Sequence, residues 1–178
     1  TVLSNGEVSL ETHVVPDKDL PFLPRIGLQL HLPTGYEYFT WYGRGPHETY
    51  VDRNEGARVG VYRGMVNEQF VPYVFPQENG NKTEVRWLTL TNADGNGLYA
   101  SADRLLEVST HHFTPEDLTV ARHPHEIMRR PEVVLHLDYG QSGLGSASCG
   151  PGRLEKYCLQ AEEIRYRVNL RPFSAVDR

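Results

Sequence analysis

"RIGLQLHLP", residues 25–33, sets Ile26, Leu28, Leu30 and Leu32 on every second position. Successive side chains of an extended chain point to opposite sides, so these four share one face, with Gln29 and His31 on the other. The stretch predicts a half-buried β-strand. The same alternation, rich in aromatic and β-branched residues, recurs in "YEYFTWYG", "ARVGVYRGMV", "TEVRWLTLTNA", "GLYASA", "LLEVSTHHF", "EVVLHLDYG" and "IRYRVNLRPF". Gly, Pro, Asn and Asp turns separate these runs, and roughly eight to ten strands are expected. Helix-start chemistry occurs in "TPEDLTVARHPHEIMR": Thr114 as N-cap, Pro115 at the first position, Glu116 and Asp117 in the first turn. Pro124 stops that helix early, leaving about two turns. Many strands with so little helix predict an all-β protein, a sandwich or a related large antiparallel sheet assembly.

The composition agrees. At 178 residues, with 39% hydrophobic and 23% charged residues, the chain suits one folded unit with a core. A formal charge of -5 with scattered Lys and Arg offers no basic stripe, so no nucleic-acid partner is expected. No apolar run reaches the roughly 18 to 20 residues of a membrane span. Two cysteines, Cys149 and Cys158, are too few for a disulfide framework. They are expected to be reduced, which points to the cytoplasm, although "NKT" at 81–83 has the form of a glycosylation acceptor in a secreted protein.

Motifs for chemistry are sparse. His111 and His112 are adjacent in a strand and face opposite ways, which disfavours a shared ion. His123 and His125 could share one if the segment is extended, but with Glu126 they match no recognised ligand spacing, so no metal site is expected. "GSASCG" places Ser146, Ser148 and Cys149 on a glycine-rich loop without the strand-turn-helix context of a nucleophile elbow. No catalytic residue is assigned.

Three polar loops remain: "GRGPHETYVDR" at 43–53, "FPQENGN" at 75–81 and "GQSGLGSASCGP" at 140–151. One reading makes them self-stabilised turns, with Glu48 and Asp52 paired to Arg44 or Arg53, and Asn79 and Asn81 bonding backbone. The other uses them, with Trp41, Tyr42, Tyr50, Tyr73 and Trp87, as planar faces and hydrogen-bonding groups for a sugar.

The order "LPRIGLQLHLP", "WYGRGPHETYVDR", "VPYVFPQENGNKTEVRWLTL", "HHFTPEDLTVARHPHE" and "VVLHLDYGQSGLGSASCGP" resembles the C-terminal domain of the large β-galactosidases of glycoside hydrolase family 2. The likeness spans about residues 22 to 151. It implies an antiparallel β-supersandwich of the galactose-mutarotase-like kind, of which residues 1–178 would be the C-terminal portion and an incomplete domain. It further implies a retaining β-galactosidase acting on terminal, lactose-like β-galactosides, with its catalytic glutamates and its Mg and Na sites in other domains. This chain would then carry no cofactor and no catalysis of its own.

Its role would be interdomain packing and one rim of the sugar pocket. Its partners would be the remaining polypeptide or a complementary subunit and the galactoside, within a homo-oligomer. In that family a loop of this domain carries a tryptophan beside the sugar. Cys149 stands at the matching place, in a loop with no aromatic residue, so Ser148 and Cys149 are the expected substrate contacts. Arg44, Glu48, Tyr50, Asp52, Arg53, Glu78 and Asn79 are expected to form an architectural signature. A free-standing carbohydrate-binding module and an aldose epimerase remain alternatives, the latter with His47 and Glu48, or His125 and Glu126, as acid and base.

Overall fold

The computed structural model describes residues 1–146 and 150–175. Eight strands occur among them: β1 (Val8–Val14), β2 (Arg25–Leu32), β3 (Tyr38–Gly45), β4 (Arg58–Met65), β5 (Lys82–Thr91), β6 (Gly97–His111), β7 (Val133–Gln141) and β8 (Ile164–Phe173). All pairings are antiparallel, and the backbone path runs β1-β8-β6-β5-β3-β4. β7 joins the far half of β6, and β2 lies outside β7. The protein is therefore all-β, as its alternation predicts. The one α-helix among the described residues, α1 (Pro115–Val120), starts at Thr114, whose hydroxyl accepts from the Asp117 amide while the Asp117 carboxylate accepts from the Thr114 amide.

One difference from the sequence reading organises the sheet. "GLYASA" and "LLEVSTHHF" are not two strands but the halves of β6, which runs 15 residues. Asp103 and Arg104, which read as a turn, lie within the strand because β5 continues along its other edge through two register shifts. On the opposite edge the first half pairs with β8 (Gly97 to Ala102 against Phe173 to Val168), the second with β7 (Glu107 to His111 against Asp138 to Val134). The sheet thus splits into two leaves at residues 103–105. The strand β1 is an addition: "VSLETHV" has a weaker pattern, and its pairing with β8 supplies the order.

Both leaves feed one core. Phe39, Trp41, Leu88 and Leu90 from the long leaf meet Leu32, Val133, Leu135 and Leu137 from the β2–β7 leaf. Burying each such side chain contributes roughly 1.5–3 kcal/mol. β2 behaves as read: Leu28, Leu30 and Leu32 turn inward while Gln29 and His31 face out. β7 is buried on both faces, so its second face, with His136 and Asp138, forms a polar layer. Gly27 sits opposite Asp138, and a Cβ there would lie 2.0 Å from Asp138 Oδ1 and 2.6 Å from its Cα. Only glycine lets β2 approach that carboxylate. No helix among the described residues is long and apolar enough to cross a membrane.

Candidate functional site

The polar layer of β6 and β7 meets two of the three loops, and the third is tied to them. Glu48, in the loop after β3, is the hub. Its Oε1 accepts from Arg53 at 2.8 Å and from the Tyr73 hydroxyl, and its Oε2 accepts from the Gly80 amide at 2.7 Å. Arg53 also donates to Tyr73 and lies 4.7 Å from the Tyr50 ring centre. Thr49 and Asn81 exchange bonds across the first two loops: the Thr49 amide donates to Asn81 O at 2.7 Å, and Asn81 Nδ2 donates to Thr49 O at 2.9 Å. Asp52 accepts from the Gly145 amide at 2.6 Å and so anchors the third loop. A Cβ on Gly143 would lie 2.6 Å from the Asp52 carboxyl carbon, so glycine is what lets that loop lie down.

Arg44 departs from the expected pairing with Glu48 or Asp52. It binds Glu84 and the carbonyls of Asn54 and Ala57. Glu84 adopts a left-handed backbone, φ 55, at the first register shift of β5, which turns its carboxylate toward Arg44. Asn79 accepts from the Val71 amide and donates to Gln77 O, while its own carbonyl lies 2.9 Å from His111 Nε2. Glu78 accepts from Arg25 at 3.1 Å. Glu48, Tyr50, Asp52, Arg53, Glu78 and Asn79 thus gather at one end of the sheet, and Arg44 stands apart. Ser148 and Cys149 lie outside the described residues.

Beneath the loops lies a buried ionic layer that the sequence reading missed. Arg25 Nε is 2.8 Å from Asp138 Oδ2, and Asp138 is 1% exposed. Glu107, on the same face, accepts from Asn81 Nδ2 at 2.7 Å. Burial pushes Asp138 up to about 8, with Arg25 pulling the other way, and pushes Glu107 up to about 7. Burial also holds His111 down at about 4, His136 at about 3 and Lys82 at about 8. The available hint was polar residues in register, His136 and Asp138, inside an otherwise apolar strand. A cavity of about 360 Å³ opens from this layer between Phe22, Arg25, Glu78, Gln141, Leu144 and Arg153.

The aromatic residues are not a platform at these loops. Trp41 and Tyr50 are buried at 1% and 0% exposure, and Tyr73 bonds Glu48 and Arg53. Tyr42, Trp87 and Tyr99 form a row with ring centres 6.2 Å apart, on the sheet face opposite the core. A larger cleft, about 570 Å³, lies on that face among Tyr38, Thr40, Met65 and Trp87. The histidines split as expected: His111 stacks on Phe113, and His112 contacts Glu37 and the Glu132 carbonyl. Asn81 is 0% exposed with its amide nitrogen already bonded, so the fold closes the "NKT" acceptor.

Two stability tests follow from this arrangement. Glu107→Gln keeps an acceptor for Asn81 and removes the titration. An acid raised to about 7 contributes stability that is complete below its unfolded value and lost as pH climbs through 7. The wild type is therefore expected to lose up to about 3 kcal/mol relative to the variant between pH 5 and pH 8.5. Measuring the difference between the two proteins separates Glu107 from Lys82 and His111, whose lowered values pull stability the opposite way. Parallel pH profiles would refute the buried-acid assignment. Glu48→Ala leaves Arg53, Tyr73 and the Gly80 amide without their acceptor and is expected to cost about 2–3 kcal/mol in a denaturant melt. Unchanged stability would remove the architectural reading of this loop.

An antiparallel all-β unit, with one end closed by three interlocked polar loops over a buried ionic layer, is the class this geometry defines. The family model "Beta galactosidase small chain" matches residues 1–170, and the chain belongs to that family. It is 37% identical over 145 residues, 82% of this chain, to a β-galactosidase of Priestia megaterium. It is 32% identical over 169 residues, 95% of this chain, to one of Actinobacillus pleuropneumoniae, and 36% over 167 residues, 90% of this chain, to one of an Arthrobacter species. The matches cover 14% of the first relative and 16% of each of the other two, so the chain spans a small part of their length.

Proposed function

We propose that this chain is the small-chain part of a β-galactosidase and acts on terminal β-galactosides only together with the remaining polypeptide, which carries the catalytic carboxylates. The observation that carries this reading is the family match over residues 1–170 against relatives named β-galactosidase that are several times longer. The state of the carboxylates at the loop end supports it. A retaining glycosidase needs two carboxyl groups about 5–5.5 Å apart and open to the sugar. Glu48, Glu78, Glu107 and Asp138 are instead committed to Arg53, Arg25, Asn81 and backbone amides.

In this reading the loop of residues 140–151, pinned by Asp52 at Gly145, forms one rim of the sugar pocket, and Ser148 and Cys149 are its substrate contacts. The exposed Tyr38, Val59, Val61 and Met65, along the β3–β4 edge, pack against the rest of the enzyme. The test is hydrolysis of a chromogenic β-galactoside by the purified chain from a host lacking galactosidase. The chain alone is expected to be inactive, and activity is expected to appear when the remaining polypeptide is added. Turnover that co-purifies with the chain would place the carboxylate pair within these residues and overturn the proposal.

A further inference from the structure

Away from the loop cluster, the segment "RHPHE", residues 122–126, folds into an arrangement its spacing does not announce. Pro124–Glu126 is a single 3-10 turn, entered from an extended His123 and closed by the Glu126 amide on His123 O at 3.0 Å. The turn folds the Glu126 carboxylate back over the histidine before it. Glu126 Oε2 accepts from the Arg122 amide at 2.8 Å, and Oε1 lies 2.9 Å from His123 Nδ1. The rings of His123 and His125 lie side by side, centres 5.5 Å apart and planes within 20°. One ligand atom from each of His123, His125 and Glu126 lies within 4.8 Å of the others.

We propose that His123, His125 and Glu126 form a binding site for a divalent transition-metal ion of the zinc type. Donors about 2.0–2.2 Å from a tetrahedral zinc stand a little over 3 Å apart, so small side-chain rotations close the present spacing. Two imidazoles and one carboxylate select zinc, nickel or copper, whereas calcium and magnesium prefer all-oxygen shells. The carboxylate is oriented in advance by the Arg122 amide, as an outer-shell partner orients a ligand. The Arg129 guanidinium, three residues beyond Glu126, contacts His112 and Glu37. All three ligand residues are exposed, so an ion enters without unfolding, and three protein ligands leave a coordination position to water.

The test is calorimetric titration of zinc chloride into the full chain in a non-coordinating buffer. The variants are His123→Ala, His125→Ala and Glu126→Gln, with His13→Ala as control, since His13 pairs with Glu163 elsewhere. The expected result is one zinc per chain, weakened in each site variant by at least the roughly 10- to 100-fold that loss of an outer-shell partner costs, and unchanged in the control. Calcium is expected to give no saturable heat. All three positions are exposed, so the variants are expected to fold, which their melting curves check. Absence of saturable zinc binding, or binding that survives both histidine substitutions, overturns the proposal.

Discussion

Replacing Arg25 by methionine is expected to cost the fold about 3–5 kcal/mol at pH 9 and clearly less at pH 6. The guanidinium lies between two acids, with Nε 2.8 Å from Asp138 Oδ2 and a terminal nitrogen 3.1 Å from Glu78 Oε1. Both acids are desolvated, which raises both, and Arg25 opposes that rise. Methionine fills comparable space and removes the opposing charge. An acid whose folded value is raised contributes stability that is present at low pH and lost as pH passes the folded value, about 8 for Asp138. At pH 6 Asp138 is largely neutral in both proteins; at pH 9 the wild type has a cation beside it and the variant does not. Adding Asp138→Asn to Arg25→Met should recover much of the loss, because the stranded charge goes with its partner. A loss equal at both pH values, with no recovery in the double variant, would show that the pair does not hold β2 to β7 at this point.

The second large effect is expected from Trp41→Ala, about 3–5 kcal/mol at any pH near neutrality. Trp41 is 1% exposed, stacks on Phe39 with ring centres 4.7 Å apart, and donates its indole hydrogen to Arg44 O at 2.9 Å. Lys82, itself buried, places its ammonium 5.2 Å from the ring centre. Truncation therefore opens a cavity, strands a carbonyl and removes the aromatic face beside a buried cation. Trp41→Phe keeps the stack and loses the hydrogen bond, and is expected to cost about 1–2 kcal/mol. The pair separates core from ligand roles. An alanine variant of wild-type stability with weakened sugar binding would return Trp41 to the recognition surface.

Both residues show where reading along the chain succeeds and where it stops. Alternation places Trp41 correctly in a strand, yet its neighbours Tyr42 and Trp87 look equally suited to stacking on a sugar. The register decides that Trp41 points into the core while Tyr42 pairs across the other face with Val61 and Trp87. Arg25 opens the very strand whose pattern reveals the fold, but its two acids lie 53 and 113 positions further along. Glu48 and Arg53 are five residues apart and were visible as a pair; Arg44 and Glu84, 40 apart, were not.

By itself the sequence determined the all-β class, most of the strands and the capped start of α1. Side-chain period, turn chemistry and capping act over a few residues and leave their mark locally. The tertiary structure alone decided that β6 is continuous and splits the sheet, that β7 is buried on both faces, and that Asp138, Glu107 and Arg25 share a desolvated layer. Those outcomes depend on which strands pair and on the water that pairing removes, and residues far apart along the chain set both.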